Sequence, residues 1–196
     1  GEILEEQGYY QELLMGADAA FAGTDHYFEQ HGNYEIHDYN YALEQGWIPE
    51  DYYEWWGFED QKLFEFAKRE LEELGEKQEP FHLTIATLDT HCVSGYVCEL
   101  CGNKYEDQYH NVIACADRQL ADFVNWAKEQ PWYENTTIIL CGDHLTMDAQ
   151  YSDSVEEDFP RSIFQVIINP AAEPEKTQDR LFCALDMFPT TLASLG

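Results

Sequence analysis

"TTIILCGDHLTMD", residues 136–148, is the stretch on which the fold turns. An apolar, β-branched run, Thr137 to Cys141, stops at Gly142, and Asp143 and His144 follow before a polar loop. A short apolar run bounded in this way reads as a buried strand that delivers its next side chains to the edge of a sheet. Working outward, "FHLTIATL" (81–88), introduced by Pro80, reads as a second buried strand. "QELLMGA" (11–17) and "SIFQVIIN" (162–169) read as two more. Between them lie helical patterns. Residues 58–77 carry Leu63, Phe64, Ala67, Leu71 and Leu74 at helical spacing, with Gly75 as the expected stop. Residues 107–130 place Val112, Ile113, Ala116, Leu120, Phe123, Val124 and Ala127 on one face, and Pro131 ends them. "LDMFPTTLASL" (185–195) reads as a last helix. Strands alternating with helices predict an α/β fold, a mainly parallel sheet with helices on both faces. Residues 21–57 read as one long irregular stretch rich in Tyr, Trp, His and Gly.

At 196 residues the chain is long enough to bury one ordinary core. Its opening "EILEEQG" and its closing "FPTTLASLG" both read as helix, so residues 1–196 are expected to be the central and C-terminal part of a single domain of a longer protein, truncated at both ends. Thirty-nine acidic residues against ten basic give a net charge of −29, a field that repels nucleic acid and anionic surfaces and favours cations. Most of these carboxylates are expected to form a solvated surface.

Four of the six cysteines, Cys92, Cys98, Cys101 and Cys115, fall in one short region, and Cys98 and Cys101 form a C-x-x-C. That spacing fits a zinc site, a redox pair or a disulfide framework. The expectation favoured here is a disulfide from Cys115 to Cys101, or otherwise to Cys98, which implies an oxidising, extracytoplasmic setting. Cys141, inside the apolar run, is expected to be a small buried hydrophobe.

In open α/β sheets, ligands bind beyond the carboxyl ends of the strands. Three such ends carry polar groups: Asp89, Thr90 and His91; Asp143 and His144; and Asp18, followed by Asp25, His26 and His31. A carboxylate and an imidazole together suit a divalent cation at about 2.0–2.2 Å, so Asp143 and His144 are the candidate metal ligands. Trp47, Tyr52, Tyr53, Trp55 and Trp56 are either core or the lining of a sugar or headgroup site.

Four segments, "GADAAFAGTDHYFEQHGN", "DYYEWWGFEDQKLFEFA", "LTIATLDTHCVSGYVC" and "QPWYENTTIILCGDHLTMD", in this order resemble the phosphoglycerol transferases, which group with the lipoteichoic acid synthases in the alkaline phosphatase and sulfatase superfamily. The resemblance covers essentially the whole chain and is greatest for the enzymes that act on periplasmic glucans. It implies a truncated alkaline phosphatase/sulfatase-like fold. It implies a transferase that moves phosphoglycerol from phosphatidylglycerol to a glycan or teichoic-acid-type acceptor through a phospho-threonine intermediate, with manganese or another divalent cation as cofactor. It places metal on Asp143 and His144, and substrate on His91 and His31. Ala22 and Thr24 depart from the lipoteichoic acid synthase pattern, where a His and an Asp stand. The nucleophilic Thr and a metal-binding Glu of the pattern match no residue here, so the 196-residue piece is expected to be inactive, while the parent is expected to be membrane-anchored, at the extracytoplasmic face of a bacterial cell envelope. A sulfatase-type hydrolase or a phosphoethanolamine transferase on the same scaffold is the near alternative. A zinc-stabilised acidic binding module using Cys98, Cys101, Cys115 and His110 is the alternative of another class.

Overall fold

A computed structural model describes residues 1–77, 79–91 and 93–196; Cys92, one of the loop cysteines considered above, lies outside the described residues. The chain forms two compact units, Gly1–Val124 and Asn125–Gly196.

In the first unit, helix α1 (Glu2–Glu6) leads into strand β1 (Tyr10–Met15), helix α2 (Thr24–Gln30), strand β2 (Glu35–His37), helix α3 (Tyr39–Glu44), helix α4 (Asp60–Lys77) and strand β3 (Phe81–Ala86). Helix α5 (Gln108–Lys128) follows. The three strands form a parallel sheet in the order β2-β1-β3, with Leu13 opposite Ile36 and Thr84. β1 is central and is buried from Gln11 to Met15. Its alternating side chains serve two layers. Leu13 and Met15 join Ala17, Ala19 and Tyr34 in a cluster packed by Phe28 of α2, Ile36 and Trp56. On the opposite face Glu12 meets Glu70 of α4 around His37. Helices therefore cover both faces, as the alternation of elements predicts.

The apolar stripe of α4 is Leu63, Ala67, Leu71 and Leu74, with Glu70 buried among them. Burying an aliphatic side chain such as Leu63, fully enclosed here, contributes about 2 kcal/mol. On α5 the buried residues are Tyr109, Val112, Cys115, Phe123, Val124 and Ala127. Cys115, rather than Ala116, continues the buried stripe, and Phe64 and Phe123 pack at a tilt with ring centroids 5.1 Å apart.

The stretch expected to be irregular from 21 to 57 contains α2, β2 and α3. α3 is capped by Asp38, whose side chain accepts from the Tyr41 N–H at 2.9 Å. Its short helices and three-residue strand lack the length to show a period in sequence.

The second unit contains strand β4 (Ile138–Cys141), helix α6 (Ala149–Ser154), strand β5 (Gln165–Ile168) and helix α7 (Met187–Ser194). β4 and β5 pair antiparallel, with Ile138 opposite Ile168 and Cys141 opposite Gln165. The parallel arrangement thus holds for β1 to β3 and gives way to an antiparallel pair here. β4 is half-buried rather than enclosed, and Cys141 is exposed. It is the last residue of its strand, and its sulfur lies 3.7 Å from Met187 Sδ at the rim of this small unit. Among the described residues, no helix is long and apolar enough to cross a membrane.

Candidate active site

Because β1, β2 and β3 are parallel, their carboxyl ends share one edge, and the loop after β3 presents His91 there. Two buried aspartates hold this loop. Asp60, at the start of α4, accepts from the Leu88 N–H at 2.7 Å and the Asp89 N–H at 3.1 Å. Asp89 accepts in return from the Asp60 N–H at 3.1 Å, one of the donors that a helix N-terminus leaves without an intrahelical partner. Each carboxylate thus caps the other's backbone, and the lock joins the start of α4 to the exit of β3. Burial pushes both carboxyls well above the usual range, and the charge of Asp60 adds to the effect on Asp89. Asp60, holding two N–H donors, takes the ionised role. Asp89 accepts only one such bond, and its Oδ2 has no hydrogen-bond partner among the described residues, so it is the member of the pair that a proton costs least.

The chain then turns sharply. The His91 N–H donates to Leu88 O, the Tyr96 N–H to Asp89 O at 2.8 Å, and the Tyr109 hydroxyl to Thr90 O at 2.8 Å. Gly95 sits at φ +65°, where a Cβ would lie 2.6 Å from Asp89 O. A side chain there would both strain the backbone and break the turn. The His91 ring lies against Trp56, centroids 4.3 Å apart. Trp56 in turn contacts Phe21 and Trp55, and Trp55 contacts Tyr96. The aromatic loop is pinned at Gly57, whose missing Cβ would fall 2.0 Å from Gly16 O at the exit of β1. The aromatic residues therefore divide: Trp55 and Trp56 wall the surroundings of His91, while Trp47 packs elsewhere.

His31 does not join His91. It ends α2 just before β2, at the amino edge of the sheet, and its neighbour Gly32 accepts from the Gln11 side chain at 2.6 Å. A six-residue strand separates the two edges by about 20 Å. The His31 ring faces Glu2 at 3.1 Å. Of the other strand-end groups, Asp18 accepts from the Ala20 N–H, and His26 lies 3.8 Å from Glu29 on the exposed first turns of α2.

In the second unit the hydrogen-bond ladder of β4 continues one step past the strand, from the Gly142 N–H to Phe164 O at 2.9 Å. Asp143 and His144 follow, both exposed. Asp143 Oδ2 and His144 Nε2 are 3.4 Å apart. Two ligands at about 2.1 Å from one ion in tetrahedral geometry are separated by about the same distance. His144 Nδ1 donates to Leu145 O at 2.8 Å, which leaves the Nε2 lone pair free for an ion. A backbone turn immediately after β4 is what lets two adjacent side chains converge.

A buried ionic cluster escaped the sequence reading. His37 Nδ1 lies 3.1 Å from Glu12 Oε1 and 3.5 Å from Glu70 Oε2. The angles are poor for hydrogen bonds, so these are close ion pairs rather than aligned bonds. Burial disfavours the charged imidazole, but its contacts with Glu12 and Glu70 outweigh that, and His37 is raised to about 9. Arg69 stacks over Trp47 at 3.7 Å, with Nε 3.7 Å from Glu70. Two carboxylates, an imidazolium and a guanidinium give a cluster with no net charge. With its two negative groups already matched by two positive ones, this group is read as structural. Glu70 standing inside an apolar stripe, and Glu12 inside an apolar strand, were the available signals.

The expected disulfide is absent. Cys98, Cys101 and Cys115 are free, with Cys98 Sγ 3.7 Å from both other sulfurs, whereas a disulfide needs about 2.05 Å. Cys115 projects from the buried face of α5 onto the C-x-x-C turn, and the three thiols pack there without bonding. His110, considered with them, instead has Nδ1 2.8 Å from Asp107.

Comparison with known proteins places this geometry. The sulfatase family profile matches residues 1–196. The chain belongs to the sulfatase family. It is 30% identical over 201 residues to phosphoglycerol transferase I of Xanthomonas campestris pv. campestris (strain B100), an alignment that covers 100% of this chain and 28% of that protein. It is 32% identical over 157 residues to phosphoglycerol transferase I of Escherichia fergusonii, covering 76% of this chain and 20% of that one. The chain therefore spans under a third of the length of these relatives. An alkaline phosphatase superfamily protein of known structure from Vibrio parahaemolyticus superposes with a TM-score of 0.75 at 24% identity, over 100% of this chain and 46% of that one. The lipoteichoic acid synthase LtaP from Listeria monocytogenes gives 0.63 at 18% identity, over 80% and 38%. These two likenesses establish the fold: this sulfatase-family chain has the alkaline phosphatase-like architecture in part.

Proposed function

We propose that this chain is part of a phosphoglycerol transferase, in which Asp143 and His144 hold a divalent cation and His91 contacts the substrate. The observation that carries the reading is the pairing of Asp143 Oδ2 with His144 Nε2 at 3.4 Å, with Nδ1 committed to a backbone carbonyl. The resemblance to two proteins named phosphoglycerol transferase I supports the reaction class. When bound, the cation, for which manganese is the first candidate, supplies a Lewis acid for a phosphate oxygen. The residues of this chain bind and orient. Asp143 and His144 contribute part of a ligand set. His91, held by the Asp60–Asp89 lock and the Trp56 ring, offers a fixed hydrogen-bonding group to a phosphate or hydroxyl. The donor is the headgroup of phosphatidylglycerol, and the acceptor is a glycan or a teichoic-acid-type chain. The phosphoglyceryl group passes through a threonine that matches no residue here. The parent protein works at the outer face of a bacterial cell membrane, to which it is anchored.

Two measurements test this. Manganese binding, followed by electron paramagnetic resonance, should weaken in Asp143→Ala and His144→Ala. In the full-length parent, turnover of phosphatidylglycerol should fall by about a thousandfold in Asp143→Ala, because a Lewis acid supplies several kcal/mol at the transition state. The 196-residue chain alone should turn over neither phosphatidylglycerol nor a soluble headgroup analogue. Full activity in the Asp143→Ala parent would overturn the assignment. Release of sulfate from an aryl sulfate, or transfer of phosphoethanolamine, would redirect the substrate while leaving the site in place.

A further inference from the structure

We propose that Cys98, Cys101 and Cys115 together bind one zinc ion, which ties the loop behind His91 to α5. The sulfurs lie within 4.8 Å of one another, and two of the separations are 3.7 Å. Tetrahedral zinc with Zn–S bonds of about 2.3 Å places its sulfurs about 3.8 Å apart. Packing alone brings two thiols to such a distance. It does not explain why three converge on one point, two from a C-x-x-C turn and one from the buried face of a helix.

N–H groups are already directed at two of the sulfurs, as a metal-bound thiolate cluster needs. Within the C-x-x-C turn the Cys101 N–H donates to Cys98 O at 3.1 Å, and the Leu100 backbone N–H is directed at the Cys98 sulfur. The Gln119 side chain, one turn after Cys115, places Nε2 3.5 Å from Cys115 Sγ and 3.8 Å from Cys98 Sγ. N–H groups aimed at sulfur stabilise negative charge there. Arg118 donates to Ala114 O and reaches across to Leu100 O at 3.1 Å, so a cation also braces the turn. Without metal, burial pushes the Cys98 and Cys101 thiols up, so they are protonated at neutral pH. Zinc reverses this by replacing the three protons, which pass to solvent, with three Zn–S bonds. No electron transfer is involved. The fourth coordination position is assigned to no side chain.

The consequence for the sulfatase-family site is positional. Cys98 borders the same cavity as Tyr96 and Glu54, and Tyr96 donates to Glu54 at 2.9 Å beside Trp55. A clamp at Cys98 therefore fixes the far end of the loop whose near end is fixed by Asp89. The binding itself does not depend on the proposed transferase activity.

The test uses the chain purified under reducing conditions without chelator. Metal analysis should find about one zinc per chain, and titration of the metal-free form with zinc should release about three protons per ion. Cobalt(II) should give the sulfur-to-metal and ligand-field bands of a tetrahedral thiolate site. Cys98→Ser and Cys115→Ser should lose the zinc, whereas Cys141→Ser and Cys183→Ser should keep it. Gln119→Ala should retain the stoichiometry but bind about 10–100-fold more weakly. If the serine variants fail to fold, the cobalt spectrum of the unsubstituted chain still decides. Absence of thiolate bands in the reduced chain would overturn the proposal. So would alkylation of protein taken without reductant that finds two of the three sulfurs already joined to each other.

Discussion

Removing the charge of His37 offers a quantitative test of how the core beneath the candidate site is held. The ring is 7% exposed and sits between Glu12, which is fully buried, and Glu70, with Tyr41 stacked on it at 3.9 Å. Its value moves from the ordinary 6.5 to about 9 because the two carboxylates outweigh the burial that opposes its charge. At about 1.4 kcal/mol per pH unit, that interval corresponds to ~3 kcal/mol of folding free energy. The folded state holds this proton more tightly than the unfolded state. The contribution is therefore fully present below pH 6.5, declines as pH rises, and is gone above about pH 9. Urea unfolding at pH 6, 7, 8 and 9 should show a loss approaching this size in the unsubstituted chain. His37→Gln should be less stable at pH 6 and should lose most of the slope between pH 7 and 9. The difference between the two chains isolates the ring from the other titrating groups. Direct NMR titration of the His37 ring is decisive: a midpoint at or below 6.5 would refute the ion-cluster reasoning, as would an unchanged slope in His37→Gln.

The aspartate lock predicts an asymmetry. Asp60→Asn should destabilise by about 2–3 kcal/mol, because its amide nitrogen would face a backbone N–H and leave buried donors unsatisfied. Asp89→Asn mimics the protonated partner and should be tolerated at pH 8. Since burial raises both carboxyls, the pair's contribution is present at low pH and is lost as pH rises through the folded values. Asp89→Asn should therefore remove part of a decline in urea midpoint between pH 5 and pH 8; equal damage from both substitutions would discredit the assigned roles. On the proposed phosphoglycerol transferase reading, His91→Ala in the full-length parent should lower kcat/KM for phosphatidylglycerol by about a hundredfold. Trp56→Phe, which keeps a ring against His91, should be milder than Trp56→Ala, and equal losses would show that Trp56 does more than hold the imidazole.

Long, periodic elements were legible in the sequence. α4 and α5 announce themselves through apolar residues three and four apart, and β1 and β3 through apolar runs, of which β1 is enclosed and β3 half-buried. β2 was not legible, because "EIH" offers a single apolar residue in three, and a three-residue edge strand is defined by its neighbour rather than by its own pattern. α3 carried a usable sign, Asp38 three residues before Tyr41, but its six residues are too few for a period. The orientation of β4 and β5 could not be read either. An apolar run looks the same whether its neighbour runs parallel or antiparallel, and only pairing distinguishes them. Cys141 misled for a related reason: apolar company in sequence placed it in a strand, but not in the interior of one.

The acidic composition hid the residues that organise the site. Thirty-nine carboxylates read collectively as a solvated surface, and for Asp18 or Glu29 that reading suffices. Glu12, Asp60, Glu70 and Asp89 are instead almost fully enclosed. Each stands where the local pattern calls for an apolar residue or a cap: Glu12 within "QELLM", Glu70 on the stripe of Leu63 and Ala67, Asp60 at a helix start, and Asp89 at a strand exit. A carboxylate at an interior position stays there only if something compensates its desolvation. Glu12 and Glu70 have His37. Asp60 has two backbone N–H groups, and Asp89 has one, with burial raising its carboxyl. The informative quantity in such a sequence is therefore the phase of each acid within its element, not the number of acids. Read that way, the two compensated pairs fall on the strands and the helix that frame the His91 edge, and they tie those elements to one another.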